Sequence, residues 1–295
     1  MRIDDTVAVV PSGLTRRAAL ARLAVLLPHA AGIQAGAQDL APASRPDATG
    51  RLRSAALDEI REYTVRLPDG YAASPRRRYP SIYVLDGPPL DGQTADAARA
   101  LTRAGAGPGV IVVGIPNMRR GERARDFLPP SMAFPRRDGS RFVGGADRFL
   151  RFLRDELVPR IDRDYRTSAP RLLVGHSLGA IFTCWSMTSA PALFQARFAH
   201  SPAVWRDEDV VMDGLDRYLA SAHGLGGWFY TSVGANEGED LQRGYVRLRA
   251  VLERRAAAAG LPWKAEITPG AVHETNVRLA SPSAQRAGFA ALALG

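Results

Sequence analysis

The sequence predicts an α/β fold, with a mostly parallel, doubly wound central sheet flanked by helices. Near-continuous runs of β-branched and aromatic residues, such as "YPSIYVLDG" and "GVIVVGIPN", are typical of parallel strands that are buried on both faces. Segments with helical spacing alternate with these runs along the body of the chain. This alternation is typical of strands joined by right-handed helical crossovers.

The first half of the body predicts three strands and a long helix. The stretch "EYTVRLPDGY" alternates and then turns, and the two buried runs at 79–87 and 109–117 follow it. The segment "GGADRFLRFLRDELVPRIDRDY" predicts a helix, because its apolar residues share one stripe and its charged residues lie off that stripe. The stripe consists of Phe149, Phe152, Leu153, Leu157 and Ile161.

The second half continues the alternation. A strand "RLLVG" leads into a helix from Leu178, and the strands "RFAHSPAVW", "GWFYTSVG" and "WKAEITPG" follow in that order. We expect a helix over 241–259 between the last two strands, and a final helix over about 283–294.

Residues 1–37 predict a twin-arginine-type export signal. Arg16 and Arg17 precede a modest apolar stretch, and Ala35-Gly36-Ala37 has the small-x-small pattern of a cleavage site. An ordinary amphipathic helix is the alternative. We expect residues 38–55 to form a flexible lead-in, residues 56–295 to form a single domain, and the cleaved product to be periplasmic or secreted.

Composition narrows the functional classes. The chain has 295 residues and a net charge of +9, but its arginines are scattered among acidic residues, so a nucleic-acid partner is not indicated. The basic excess fits either a bias toward arginine codons or an anionic ligand. No run of about 18 apolar residues is found, so we expect no stable membrane anchor. No metal-ligand cluster is recognisable, so we expect neither a metal nor an organic cofactor.

A serine stands between two glycines at the junction of a predicted strand and a predicted helix, in "GHSLG" at 175–179. Small flanking residues permit the sharp turn that exposes a nucleophilic serine, here Ser177. The helix that follows offers the N–H of Leu178 to an oxyanion. A serine hydroxyl needs a base to remove its proton, so a histidine is expected further along the chain.

His273 is the predicted base. It follows the last predicted strand in "TPGAVHETN", where the order of serine, acid and histidine requires it. The other histidines have other expected places: His29 lies in the export signal, His176 packs beside the serine, His200 ends a strand, and His223 is in a glycine-rich loop.

The acid is expected in "GANEGED", after the preceding strand. Glu237 is nearest to the strand end and is the first choice, with Asp240 and Glu239 as alternatives. A dyad of serine and histidine without an acid also stays open.

At these residues the chain resembles the putative-esterase family of α/β-hydrolases, which includes esterase D, siderophore trilactone esterases and mycobacterial mycolyltransferases. The resemblance extends roughly from Glu62 to Arg278 and is densest in "IYVLDG", "VVGIPNMRRGERARDFLPP", "LLVGHSLGA" and "HSPAVW". It implies the α/β-hydrolase fold, with Ser177 as nucleophile, His273 as base and Glu237 as acid.

The blocks "GGAD" and "VGIPN" most resemble the periplasmic siderophore-esterase branch, which implies an anionic ferric catecholate substrate. The loop "MRRGERAR" would then line the ligand crevice at the ends of the strands. We expect Arg119, Arg120 and Arg123 to bind substrate, and Trp205 in "HSPAVW" to be a further substrate-binding residue. A solvated loop or pairing with carboxylates is the alternative for the arginines.

One departure from the family concerns the oxyanion hole. In relatives the second N–H donor commonly comes from the residue after Asp-Gly, which here is Pro88 and has no N–H. Gly87 is the predicted donor instead. A reshaped loop or a missing donor is the alternative.

The leading hypothesis is an exported serine carboxylic-ester hydrolase that acts through an acyl-enzyme on a small-molecule ester. A siderophore trilactone is the first substrate to be expected. Two alternatives stay open. An acyltransferase would use the same site with an alcohol in place of water, and a catalytically weak ligand-binding protein would keep only the fold and the basic loop.

Overall fold

The computed structural model describes residues 45–117, 121–135, 140–204 and 210–294. The strands are β1 (Ala48–Ser54), β2 (Glu59–Arg66), β3 (Tyr79–Leu85), β4 (Ile111–Ile115), β5 (Ala133–Pro135), β6 (Arg141–Val143), β7 (Thr167–His176), β8 (Ala196–His200), β9 (Trp228–Gly234) and β10 (Trp263–Thr268). The helices are α1 (Leu90–Arg103), α2 (Glu122–Phe127), α3 (Ala146–Arg151), α4 (Val158–Asp164), α5 (Leu178–Ser189), α6 (Val210–Ser221), α7 (Glu239–Ala259) and α8 (Asn276–Ala291).

Eight strands form one sheet in the order β1-β2-β4-β3-β7-β8-β9-β10. β1 pairs antiparallel with β2, and β2 pairs antiparallel with β4, whereas all pairs from β4 to β10 are parallel. The predicted α/β class and its mostly parallel sheet are therefore confirmed. No helix in the described part of the chain is long and apolar enough to span a membrane.

Both faces of the sheet are buried, which explains the near-continuous apolar runs. Along β3, Tyr83 and Leu85 belong to a core shared with α3, α4 and α5, while Ile82 and Val84 belong to a core shared with α1 and α8. Between α3 and α4, Phe152–Leu157 continue the helix with π-type winding. All five residues of the predicted apolar stripe are fully buried: Phe149, Phe152, Leu153, Leu157 and Ile161.

Two expectations about the ends of the domain need correction. The predicted flexible lead-in includes β1, which pairs with β2 from Ala48↔Val65 to Ser54↔Glu59. Its first six residues alternate between half-buried and exposed positions, and only Ser54 at its end is buried. A polar edge strand of this kind lacks the continuous apolar signal of the inner strands. The predicted export signal at 1–37 lies outside the described residues.

The final helix begins at Asn276, seven residues before the predicted start, and contains Pro282 in its interior. Proline usually ends or kinks a helix, which is why the sequence places the start after it. Buried Val277 and Ala280 precede the proline and buried Ala284 follows it, so the packing of one helix face stabilises the helix on both sides of Pro282. The early start brings α8 to within three residues of His273.

Candidate active site

Ser177 lies at a sharp turn between the end of β7 and the start of α5. Its φ and ψ are 58° and −116°, a conformation that a residue with a side chain rarely adopts. Backbone bonds hold the turn, because the Ser177 N–H donates to the carbonyl of His200 (3.0 Å) and its carbonyl accepts from the N–H of Ala180 (3.1 Å). Such a strained turn at a strand end is the geometry of a nucleophile elbow.

The glycine before the serine makes this turn possible. A Cβ on Gly175 would lie 2.3 Å from the carbonyl oxygen of Gly179 and 2.4 Å from Oγ1 of Thr183, so α5 could not approach β7 so closely. Leu178 is the first residue of α5, so its N–H has no acceptor within the helix. The N–H is therefore available to an oxyanion beside Ser177.

Glu237 and His273 are joined by a hydrogen bond. Nδ1 of His273 lies 2.9 Å from Oε2 of Glu237, and Oε1 of Glu237 accepts from the hydroxyl of Ser201 (2.6 Å) and from the N–H of Gly234 (2.6 Å). Burial acts to raise the pKa of Glu237, but the hydrogen bonds from these three partners outweigh it and hold the pKa below its usual value. The carboxylate is therefore charged where it faces the imidazole.

The alternative acids lie elsewhere. Glu239 and Asp240 are in the first turn of α7, where both pair with Arg243 and their side chains are 85% and 51% exposed. Glu237 lies in the turn between β9 and α7 and is only 8% exposed. The structure brings Glu237, and neither alternative, to His273.

A second set of polar side chains supports Glu237 from behind. Asn276 donates through Nδ2 to the hydroxyls of Ser201 (2.8 Å) and Ser232 (3.1 Å), and Ser232 bonds Nδ1 of His200 (2.8 Å). All four residues are buried. The sequence reading missed Ser201 and Asn276 as functional candidates. Their only signals are a serine directly after the end of a strand and an asparagine three residues after His273.

His176 packs against the loop of the predicted base. Its Nε2 lies 2.9 Å from the carbonyl oxygen of His273, and the two rings are 4.3 Å apart between centroids. Burial is the main reason that the pKa of His176 falls to about 3, and the pKa of His200 falls to about 4 for the same reason. At neutral pH the ring of His176 is therefore uncharged. Its Nε2–H donates to the carbonyl of His273, and this hydrogen bond holds the His273 loop beside the elbow.

The loop after β3 forms the opposite side of the site. Asp86 and Gly87 both have positive φ, 67° and 53°, and a Cβ on Gly87 would lie 2.9 Å from the backbone nitrogen of Pro116. Pro88 and Pro89, which follow, have no N–H to donate. The Gly87 N–H therefore remains a candidate for the second oxyanion donor.

Arg123, predicted to bind substrate, is engaged in a protein contact. Its Nε and Nη2 donate to the two carboxylate oxygens of Asp86 (2.7 and 3.0 Å), and Nη2 also donates to the carbonyl of His176 (3.1 Å). Arg123 therefore makes the pairing with a carboxylate that the sequence leaves open as the alternative to substrate binding. Arg119, Arg120 and Trp205 lie outside the described residues. No group of three or more potential metal-ligating side chains is found among the residues that the structure describes.

The fold and the strained serine turn are those of an α/β-hydrolase. Residues 54–279 match the model of the family Esterase, described as putative esterase. The chain belongs to this family.

Two curated proteins and one solved structure are similar to the chain. The chain is 31% identical over 176 residues to the ferri-bacillibactin esterase BesA of Bacillus subtilis, and the aligned region covers 55% of this chain and 61% of that protein. It is 26% identical over 164 residues to the apo-salmochelin esterase of Escherichia coli, which covers 53% and 51%. The match thus spans less than two thirds of the length of either curated relative. The structure of an IroE-like serine hydrolase from Shewanella oneidensis superposes with a TM-score of 0.71 and 27% identity, covering 81% of this chain and 79% of the other.

Proposed function

We propose that this protein is a serine carboxylic-ester hydrolase that acts through an acyl-enzyme. The observation that carries the proposal is the bond between His273 and a charged, buried Glu237, on a loop that His176 holds against the elbow of Ser177. Membership of the esterase family supports the reaction class. This arrangement supplies a nucleophile, a base and a group that orients the base.

Each group has a defined role in the proposed reaction. Ser177 attacks the ester carbonyl while His273 accepts the hydroxyl proton, and the imidazolium then gives that proton to the leaving alkoxide. Glu237 holds the imidazole through Nδ1 and stabilises its positive charge. Water then attacks the acyl-enzyme, with His273 as base again. The N–H groups of Leu178 and Gly87 are the proposed donors to the oxyanion.

Siderophore trilactones are the proposed substrate class. The support is the names of the relatives, an esterase of ferri-bacillibactin and an esterase of apo-salmochelin, together with the net charge of +9, which suits an anionic ligand. We also propose that the protein is exported, from the paired arginines and the small-x-small pattern that precede the described residues.

Hydrolysis of p-nitrophenyl acetate tests the reaction class. Wild type is expected to turn over, and Ser177→Ala to lose a factor of about 10³ to 10⁶ in kcat, as for other serine nucleophiles. The intact mass of wild type after rapid quenching should show the added acetyl group, and Ser177→Ala should not acquire it. Equal rates for the two proteins would contradict the proposal.

A catecholate trilactone, followed by mass spectrometry, tests the substrate class. Ring opening with the addition of one water is the expected product, and hydrolysis of simple esters without any ring opening would reject the trilactone assignment. A glycerol ester of the acyl group, formed at the expense of the free acid when glycerol is added, would instead indicate an acyltransferase. An N-terminus near residue 38 in protein recovered from the periplasm would support export, and an intact N-terminus in the cytoplasm would oppose it.

A further inference from the structure

We infer that Arg123 is a positioning residue, which ties the oxyanion loop at Asp86 to the nucleophile elbow at His176. The inference rests on the proposed function and concerns the same site. It assigns to Arg123 a role in the geometry of catalysis in place of a contact with substrate.

The contacts of the guanidinium define this clamp. Three of its five N–H groups are used. The Nε–H and one N–H of Nη2 donate to the carboxylate of Asp86, and the second N–H of Nη2 donates to the carbonyl of His176. Asp86 follows β3 and His176 ends β7, which are neighbouring parallel strands in the sheet. One planar group thus fixes the distance between the two loops that carry the proposed oxyanion donors.

The oxyanion loop needs a side-chain clamp because its backbone offers few bonds. Two of its residues, Pro88 and Pro89, have no N–H, and Asp86 and Gly87 are both in the left-handed region. The carbonyl of Gly87 accepts from the N–H of Asp91 (3.2 Å), which fixes the loop to α1 and not to the elbow. The bidentate pair with Arg123 supplies the connection to the elbow.

The clamp also controls charge at the site. A Cβ placed on Gly179 would lie 3.4 Å from Oδ2 of Asp86, so this carboxylate lies beside the first turn of α5, where the oxyanion donor Leu178 is found. An unpaired carboxylate there would repel a developing oxyanion. Arg123 neutralises it, and the pair adds no net charge to the oxyanion hole.

The helix that carries Arg123 is anchored in the core by the residues at its C-terminal end. Asp126 is fully buried and accepts from Arg61 (2.6 Å) and from Nδ2 of Asn117 (2.8 Å). Phe127 is also fully buried, and its ring centroid lies 5.9 Å from the guanidinium carbon of Arg123. A guanidinium on a helix anchored in this way can hold a neighbouring loop in place.

Two p-nitrophenyl esters separate positioning from substrate binding: the neutral acetate and the negatively charged hemisuccinate. Arg123→Lys keeps the positive charge, but an ammonium group cannot make the bidentate pair with Asp86 together with the bond to His176. We expect Arg123→Lys to lower kcat about 10- to 100-fold on both esters and to leave KM within about twofold, since loss of a single oxyanion donor costs about 10²–10³. Asp86→Asn should give the same pattern, and the double variant should be no worse than the poorer single variant.

Arg154→Lys is the matched control. Arg154 makes the same bidentate contact with Asp155 (2.7 and 2.8 Å), but both side chains are more than half exposed on the outer face of the helix. Its kcat and KM should equal those of wild type. A rise in KM confined to the hemisuccinate, with kcat and the acetate unaffected, would overturn the inference and return Arg123 to a substrate-binding role.

Hydrogen exchange gives a second measurement that does not depend on turnover. Peptides covering residues 86–93, which are the loop after β3 and the first turn of α1, should exchange faster in Arg123→Lys than in wild type, while peptides from β8 and β9 keep their rates. Unchanged exchange in the loop would also overturn the inference. Failure of the proposed function would show separately, as equal rates for wild type and Ser177→Ala.

Discussion

The two sides of the site are held by different chemistry. On the acid–base side, a charged Glu237 is surrounded by neutral donors: the hydroxyl of Ser201, the N–H of Gly234 and the imidazole of His273. On the oxyanion side, the carboxylate of Asp86 is paired with the guanidinium of Arg123.

The difference follows from what each carboxylate has to do. In the proposed reaction Glu237 stabilises the positive charge that appears on His273, so a permanent cation beside it would cancel its effect. Neutral donors keep it ionised without neutralising it. In the proposed clamp Asp86 places its loop, and its negative charge alone would oppose an oxyanion, so an ion pair suits it.

Glu237→Gln should have the largest effect of the changes that test this contrast. The amide keeps the shape but removes the charge, and it can present an N–H to Nδ1 and stabilise the wrong imidazole tautomer. We expect kcat to fall by about 10³ to 10⁴, the size seen for such a change in a serine protease triad. Asp240→Asn, in the first turn of α7, is the control and should match wild type. Nearly full activity of Glu237→Gln on p-nitrophenyl acetate would indicate a dyad.

The acid–base side could be predicted from the sequence because its residues follow the chain order of the strands. Ser177, Glu237 and His273 each lie just after a strand end, and parallel strands bring such ends to one edge of the sheet. The sequence also leaves Glu239, Asp240 and a dyad open, because it does not show which side chains of one loop are buried and which are exposed.

The oxyanion side could not be predicted in this way. Asp86 and Arg123 are 37 residues apart, and their contact depends on how α2 packs against α5, which no local pattern encodes. From the sequence, the arginine-rich segment "MRRGERAR" therefore favours a substrate-binding role for Arg123, on the basis of charge alone. Ser201 and Asn276, which are 75 residues apart, were missed for the same reason, since polar residues in loops give no periodic signal.

Ser201→Ala should have a smaller effect on the acid–base side. It removes a donor to Oε1 of Glu237 and leaves the buried amide of Asn276 with only Ser232 as an acceptor. We expect kcat to fall about tenfold, and stability to fall by about 1–3 kcal/mol, the cost of an unsatisfied buried polar group. Ser221→Ala, on the exposed end of α6, should leave kcat unchanged and stability within about 0.5 kcal/mol. A loss of stability with full kcat would reduce Ser201 to a purely structural residue.

The smallest effect, and the one that most directly contrasts the two carboxylates, is the pH dependence of stability. The pKa of Glu237 is lowered from its usual 4.5, so its ionised form favours the folded protein. This stabilisation is complete above pH 4.5 and is lost as the pH falls through the lowered value. The pKa of Asp86 is raised from its usual 3.8, because burial outweighs the guanidinium of Arg123, so its contribution has the opposite sign.

Urea unfolding of wild type, Glu237→Gln and Asp86→Asn between pH 3.5 and 7 measures both contributions. As the pH falls, wild type should lose stability relative to Glu237→Gln, because the unfolded state takes up protons there before the folded state does. As the pH falls over the interval above pH 3.8, wild type should gain stability relative to Asp86→Asn, because the folded state takes up the proton first. If both stability differences changed with the same sign as the pH fell, Arg123 would hold Asp86 ionised as firmly as the neutral donors hold Glu237. The contrast between the two sides of the site would then lie in geometry alone.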